Sequence, residues 1–111
     1  MSKQRDMLKK IVALKRQSAE QRVRALQIDV DRIEAGIAAL KVSFQELDAL
    51  KGGFEAHRLS EENGHARKLL ADIRAADAAL HVERADLHEA REALKRVFYS
   101  EECLANPLFN G

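Results

Sequence analysis

The chain has 111 residues, enough for one domain, with 46% hydrophobic and 33% charged residues, which is too apolar for simple disorder. Aromatics are 5% and there is one proline, a composition for long helices or a coiled coil and against a well-filled globular core. A net charge of +1 argues against a nucleic-acid binder, and one cysteine (Cys103) excludes an intramolecular disulfide.

The N-terminal residues Lys3, Arg5, Lys9, Lys10, Lys15, Arg16, Arg22 and Arg24 are opposed only by Asp6 and Glu20 in the first 24 positions. No apolar run of signal-peptide length follows these charges, and none approaches the roughly 18 apolar residues of a membrane span. The expected location is the cytoplasm. The basic run lacks interleaved aromatics, and its charges are spread around the helix, so nucleic acid or ribosome binding is the weakest of the functional readings.

From Val12 the apolar positions alternate by four and three: Val12, Arg16, Ala19, Val23, Leu26, Val30, Ile33, Ile37, Leu40, Phe44 and Leu47. This is the a/d seam of a coiled coil, broken only by Arg16. It predicts a first helix over about residues 4–51. Gly52 and Gly53 follow. Glycine readily enters the left-handed conformation just beyond a helix end, and two of them inside a helix would cost about 1–2 kcal/mol. A turn is expected there, near 52–54, with Lys51 suited to the dipole of the preceding helix.

The second seam is Leu59, Glu62, Ala66, Leu69, Ile73, Ala76, Leu80, Glu83, Leu87, Ala90, Leu94 and Val97, on a helix predicted to about residue 102 with a short tail over 103–111. The fold class is therefore all-α, a long antiparallel two-helix coiled-coil hairpin. Two registers fit. A tight turn, with the second helix starting near Phe54, pairs Val12 with Leu94 and Leu26 with Leu80. A wider turn over 52–60 makes Ser60 the N-cap, with Glu61 and Glu62 in the first turn, and pairs Leu26 with Leu87. The tight turn is the preferred expectation. Arg16 and Glu83, as polar seam residues, should lower stability and fix register.

Candidate chemistry is sparse. Glu62 and His65 have the Glu-x-x-His spacing of di-iron bundles, but the first helix has no histidine to complete such a site. His81 and His88, with Asp77 and Glu92, share a face and read more simply as solvated pairs. Cys103 has acidic neighbours in Glu101 and Glu102, which oppose thiolate formation. A thin rod offers no concave pocket, so the expectation is a non-enzymatic protein without catalytic residues, cofactor or metal.

The segment RDMLKKIVALKRQSAEQRVRALQIDVDRIEAGIAAL, from Arg5 to Leu40, resembles the start of the flagellar export protein FliJ and the YscO-type stalk proteins of type III secretion injectisomes. That resemblance implies an antiparallel helical hairpin that inserts into a hexameric export ATPase and escorts empty chaperones. No residue of that family is specific enough to carry over, but if the chain is such a stalk its two termini would carry the contacts. Leu8, Ile11, Phe98, Tyr99 and Phe109 would be apolar anchors, and Lys9, Lys10 and Arg16 would steer toward acidic surfaces of the ring. The rival expectation is a structural or adaptor coiled coil, in which two hairpins stack into a homodimeric four-helix bundle. The alanines off the second seam (Ala71, Ala75, Ala78, Ala79, Ala85, Ala93) would supply its second face.

Overall fold

The chain is an all-helical hairpin of two helices, seen in a computed structural model: α1 spans Ser2–Ala49 and α2 spans Ala56–Ala105. The structure describes the backbone of residues 2–49 and 56–106 and the side chains of 3–47 and 64–106. The expected turn at Gly52 and Gly53 lies outside the described residues, as do the side chains of Leu59, Ser60 and Glu62, and all of Phe109. No helix among the described residues is long and apolar enough to cross a membrane.

Helix formation follows from composition. Neither helix contains proline, and alanine, leucine and long charged residues dominate both. The heptad seam decides what each helix buries. Every seam position from Val12 to Leu47 on α1 is buried or half-buried, Arg16 included, and so is every described seam position from Ala66 to Val97 on α2. The same alternation continues past Val97 to Glu101 and Leu104, which are also half-buried. The seam is thus longer at the C-terminal end than its run of apolar residues suggests.

The helices form two compact units. Unit 1 comprises Met1–Ile28 and Arg84–Gly111, and its buried core residues are Leu26, Leu87 and Ala90. Unit 2 comprises Asp29–Glu83, and it buries Val30 and Ile37 from α1 with Leu69, Ile73 and Leu80 from α2. Each core is a single stripe, as expected when two helices meet along one face.

Within unit 1 the helices run antiparallel, and polar pairs report the register. Arg16 Nη1 donates to Glu101 Oε2 at 3.3 Å, and Arg91 Nη2 donates to Gln27 Oε1 at 2.6 Å. The Arg5 guanidinium donates to the Leu104 carbonyl. That carbonyl lies in the last turn of α2, where helix geometry leaves carbonyls without intrahelical partners and where a cation suits the dipole. Asn106 N closes one further turn onto Glu102 O at 2.9 Å.

These pairs correct the preferred register. A tight turn places Arg16 opposite Ala90, about three helical turns before the glutamate it actually holds. The alternative places Leu26 opposite Leu87, brings Arg16 within one turn of Glu101, and fits the cross-helix pairs. Its capping scheme does not hold, however. α2 begins at Ala56, so Ser60 lies inside the helix rather than at its N-cap. Arg16 is held by Glu101 rather than by Glu83, the other polar seam residue singled out from sequence.

Candidate protein-binding face

Unit 1 gathers a set of bulky apolar side chains that no seam absorbs. On α1, Met7 is 63% exposed, Leu8 50%, Ile11 43% and Leu14 66%; on α2, Phe98 is 43% and Tyr99 61% exposed. Their positions explain their exposure. Met7, Ile11 and Leu14 are themselves spaced by four and three, on the side of α1 turned away from the seam. Phe98 and Tyr99 follow seam residue Val97 directly, and consecutive helical residues diverge by about 100°.

The basic residues beside this apolar set divide into two kinds. Lys9 and Lys10 are exposed. Arg16 is not a free steering charge. It is half-buried, bonded to Glu101, and its Nε lies 3.5 Å from Glu20 Oε1. An open groove of about 470 Å³ runs along α1 between Lys10, Ala13, Leu14, Arg16, Gln17 and Glu20. A smaller one of about 200 Å³ is lined by Ala19 and Arg22 from α1 and by Asp86, Glu89, Ala90, Ala93 and Arg96 from α2.

The residues proposed from sequence thus fall into three groups. Leu8, Lys9, Lys10, Ile11, Phe98 and Tyr99 belong to the exposed surface of unit 1. Arg16 belongs to its seam, and Phe109 lies outside the described residues. Met7 was missed from sequence, although its spacing to Ile11 and Leu14 carries the signal.

Two titrating groups sit near this surface. A hydrogen bond with Cys103 and electrostatic repulsion from its sulfur push the Tyr99 phenol above its ordinary value. The Lys95 ammonium, 3.1 Å from Glu92 Oε1, holds the Glu92 carboxyl below the usual carboxylate range, with smaller contributions from His88 and Arg96. His81 and His88 are exposed, and among the described residues no three His, Cys, Asp or Glu side chains converge as a metal site would require.

Chemically, the surface offers apolar area, a polar tip on Tyr99 and exposed lysine charge, which are the ingredients of protein recognition. No family model matches this sequence, and no curated protein or solved structure matches it either.

Proposed function

We propose that the chain is a non-enzymatic coiled-coil interaction protein that captures a protein partner through unit 1. The observation that carries this reading is the exposed set Met7, Leu8, Ile11 and Leu14 on a lysine-rich helix, with Phe98 and Tyr99 on the other helix of the same unit. Bulky apolar side chains left in water invite a partner, and aromatic anchors with a charged rim are how protein interfaces concentrate binding energy. Lys9 and Lys10 would favour an acidic partner and speed the encounter without supplying most of the affinity.

The resemblance of residues 5–40 to the FliJ and YscO-type stalks makes a hexameric export ATPase of a flagellar or type III secretion apparatus the first partner to test. Cytoplasmic action belongs to the same proposal. The test uses the full chain and a purified export ATPase, with capture measured for the wild type and for the Phe98→Ala, Tyr99→Ala double variant. Both side chains are exposed, so the hairpin should keep its helicity and melting temperature while capture falls by tenfold or more, equal to about 1.4 kcal/mol. Unchanged capture would reject the aromatic anchors. Failure of the wild type to bind would reject the ATPase as partner.

A further inference from the structure

Unit 2 carries a second repeat on the side of each helix turned away from its buried seam. On α1 it is Arg32, Ala35, Ala39, Val42 and Glu46; on α2 it is Lys68, Ala71, Ala75, Ala78 and Val82. All ten are exposed, and Val42 and Val82 are 52% and 57% exposed. The spacing alternates by three and four, as in the seam, displaced by about half a turn around the helix. Charge is concentrated on the intervening positions, at Asp31, Glu34, Lys41, Arg67, Asp72, Arg74, Asp77 and His81. Gly36, which borders the α1 stripe, has open space where a Cβ would be, so no contact among the described residues accounts for a glycine there.

We propose that this face of unit 2 packs on a second copy of the chain, the outer side of α1 in one copy against the outer side of α2 in the other, running antiparallel. The two stripes complement each other in size and charge. With Val42 set over Ala71, Ala39 meets Ala75, Ala35 meets Ala78, and Val82 meets the apolar stem of Arg32. The same alignment places Glu46 against Lys68 and Asp31 beside His81. Sliding by one heptad in either direction parts Glu46 from Lys68 and sets Lys68 on Ala39 or Glu46 on Ala75, which forfeits the charge pair. One alignment therefore satisfies both stripes. Both halves of the match are on the same chain, so a second copy supplies the complement. Because α1 meets α2, the contact is head-to-tail, and it extends into a ring or a layer of hairpins rather than ending at a two-fold dimer.

The test begins with Cys103→Ser protein carrying either Val42→Cys or Ala71→Cys. Mixed and gently oxidised, the two should give the mixed disulfide dimer several-fold in excess of either homodimer. Homodimers in equal or greater yield would overturn the head-to-tail match. Sedimentation of the wild type up to about 200 µM should show species larger than monomer, whereas Ala75→Glu should shift association at least about tenfold toward monomer. A wild type that stays monomeric throughout overturns the proposal. Ala75 is exposed, so circular dichroism should show unchanged helicity in that variant; if helicity drops, the disulfide yields decide. Capture of a partner by unit 1 is scored separately with the Phe98 and Tyr99 variant, so either reading can fail alone.

Discussion

Arg16 and Glu101 lie 85 positions apart in sequence and 3.3 Å apart in space, joining the start of α1 to the end of α2. Both are seam residues, and the pair is unequal. Arg16 also lies 3.5 Å from Glu20, whereas Glu101 Oε1 is buried with no hydrogen-bond partner, as is Arg16 Nε. Removing the arginine therefore strands a carboxylate, while removing the glutamate leaves the arginine its second anion. Arg16→Leu should lower stability by about 1 kcal/mol through the unpaired glutamate. Glu101→Leu should cost only a few tenths, because Arg16 is 42% exposed and water screens what remains. The double variant, Arg16→Leu with Glu101→Leu, should recover wild-type stability or exceed it. Thermal melts of the three variants check this ordering.

Glu83 is the seam's unsupported polar residue. It is half-buried, its Oε2 is buried, and that atom has no hydrogen-bond partner. A buried acceptor without a partner costs about 1–3 kcal/mol. Glu83→Leu should raise the melting temperature by at least about 4 °C for a domain of this size. A fall in melting temperature would mean that the carboxylate is stabilised in a way its surroundings do not reveal.

Heptad spacing made the helices and their buried stripe legible in advance. Val12 through Leu47 and Ala66 through Val97 line the seams because a four-three alternation holds one face of a helix toward its partner. Register was not legible in the same way. Shifting one helix by seven residues returns a/d positions to a/d positions, so Leu26 accepts Leu80 or Leu87 equally well on hydrophobicity alone. The choice rests on long polar side chains, Arg16 with Glu101 and Arg91 with Gln27, whose partners are fixed only once the helices meet. The C-terminal extension of the seam was hidden for a related reason. Glu101 occupies a seam position without being apolar, and it interrupts the count before Leu104. At the exposed face, Leu8, Ile11, Phe98 and Tyr99 could be recognised as lying off the seam, but Arg16 could not be recognised as occupied.

Gly36 offers a test on the opposite side of α1. It is exposed inside a helix, its φ is not positive, and a Cβ would meet nothing within 4 Å. Gly36→Ala should therefore stabilise the isolated hairpin by about 0.8–1 kcal/mol. In the association proposed for unit 2, the added methyl sits beside the close approach of the second copy. The same variant should then associate more weakly while melting higher at dilute concentration. Melting and sedimentation on one sample separate the two effects.

Glu92 predicts a small pH dependence. Its hydrogen bond and ion pair with Lys95 hold its carboxyl below the usual range in the folded chain. A depressed carboxyl contributes stability that is complete above its unfolded pKa and is lost as pH falls through the folded one. Glu92→Gln should flatten that part of the acid limb of a melting-temperature profile and leave the neutral region nearly unchanged. The effect is modest, since the hydrogen-bonded pair is open to solvent.

The register itself can be read by crosslinking within unit 1. Leu26 and Leu87 are both buried there, at 9% and 5% exposure, on helices whose polar pairs place them in facing layers. In a Cys103→Ser chain, Leu26→Cys with Leu87→Cys should oxidise to an intrachain disulfide, seen as a faster-migrating monomer under non-reducing conditions. Leu26→Cys with Leu80→Cys, the pair of the tight register, should not. Seven residues of helix displace a side chain by about 10 Å, beyond the roughly 7 Å between Cα atoms that a disulfide tolerates. Burial protects both sites from adventitious oxidation, so dilution to suppress collisions should leave the first crosslink intact. A disulfide at 26 and 80 with none at 26 and 87 would restore the tight register and require Arg16 to part from Glu101.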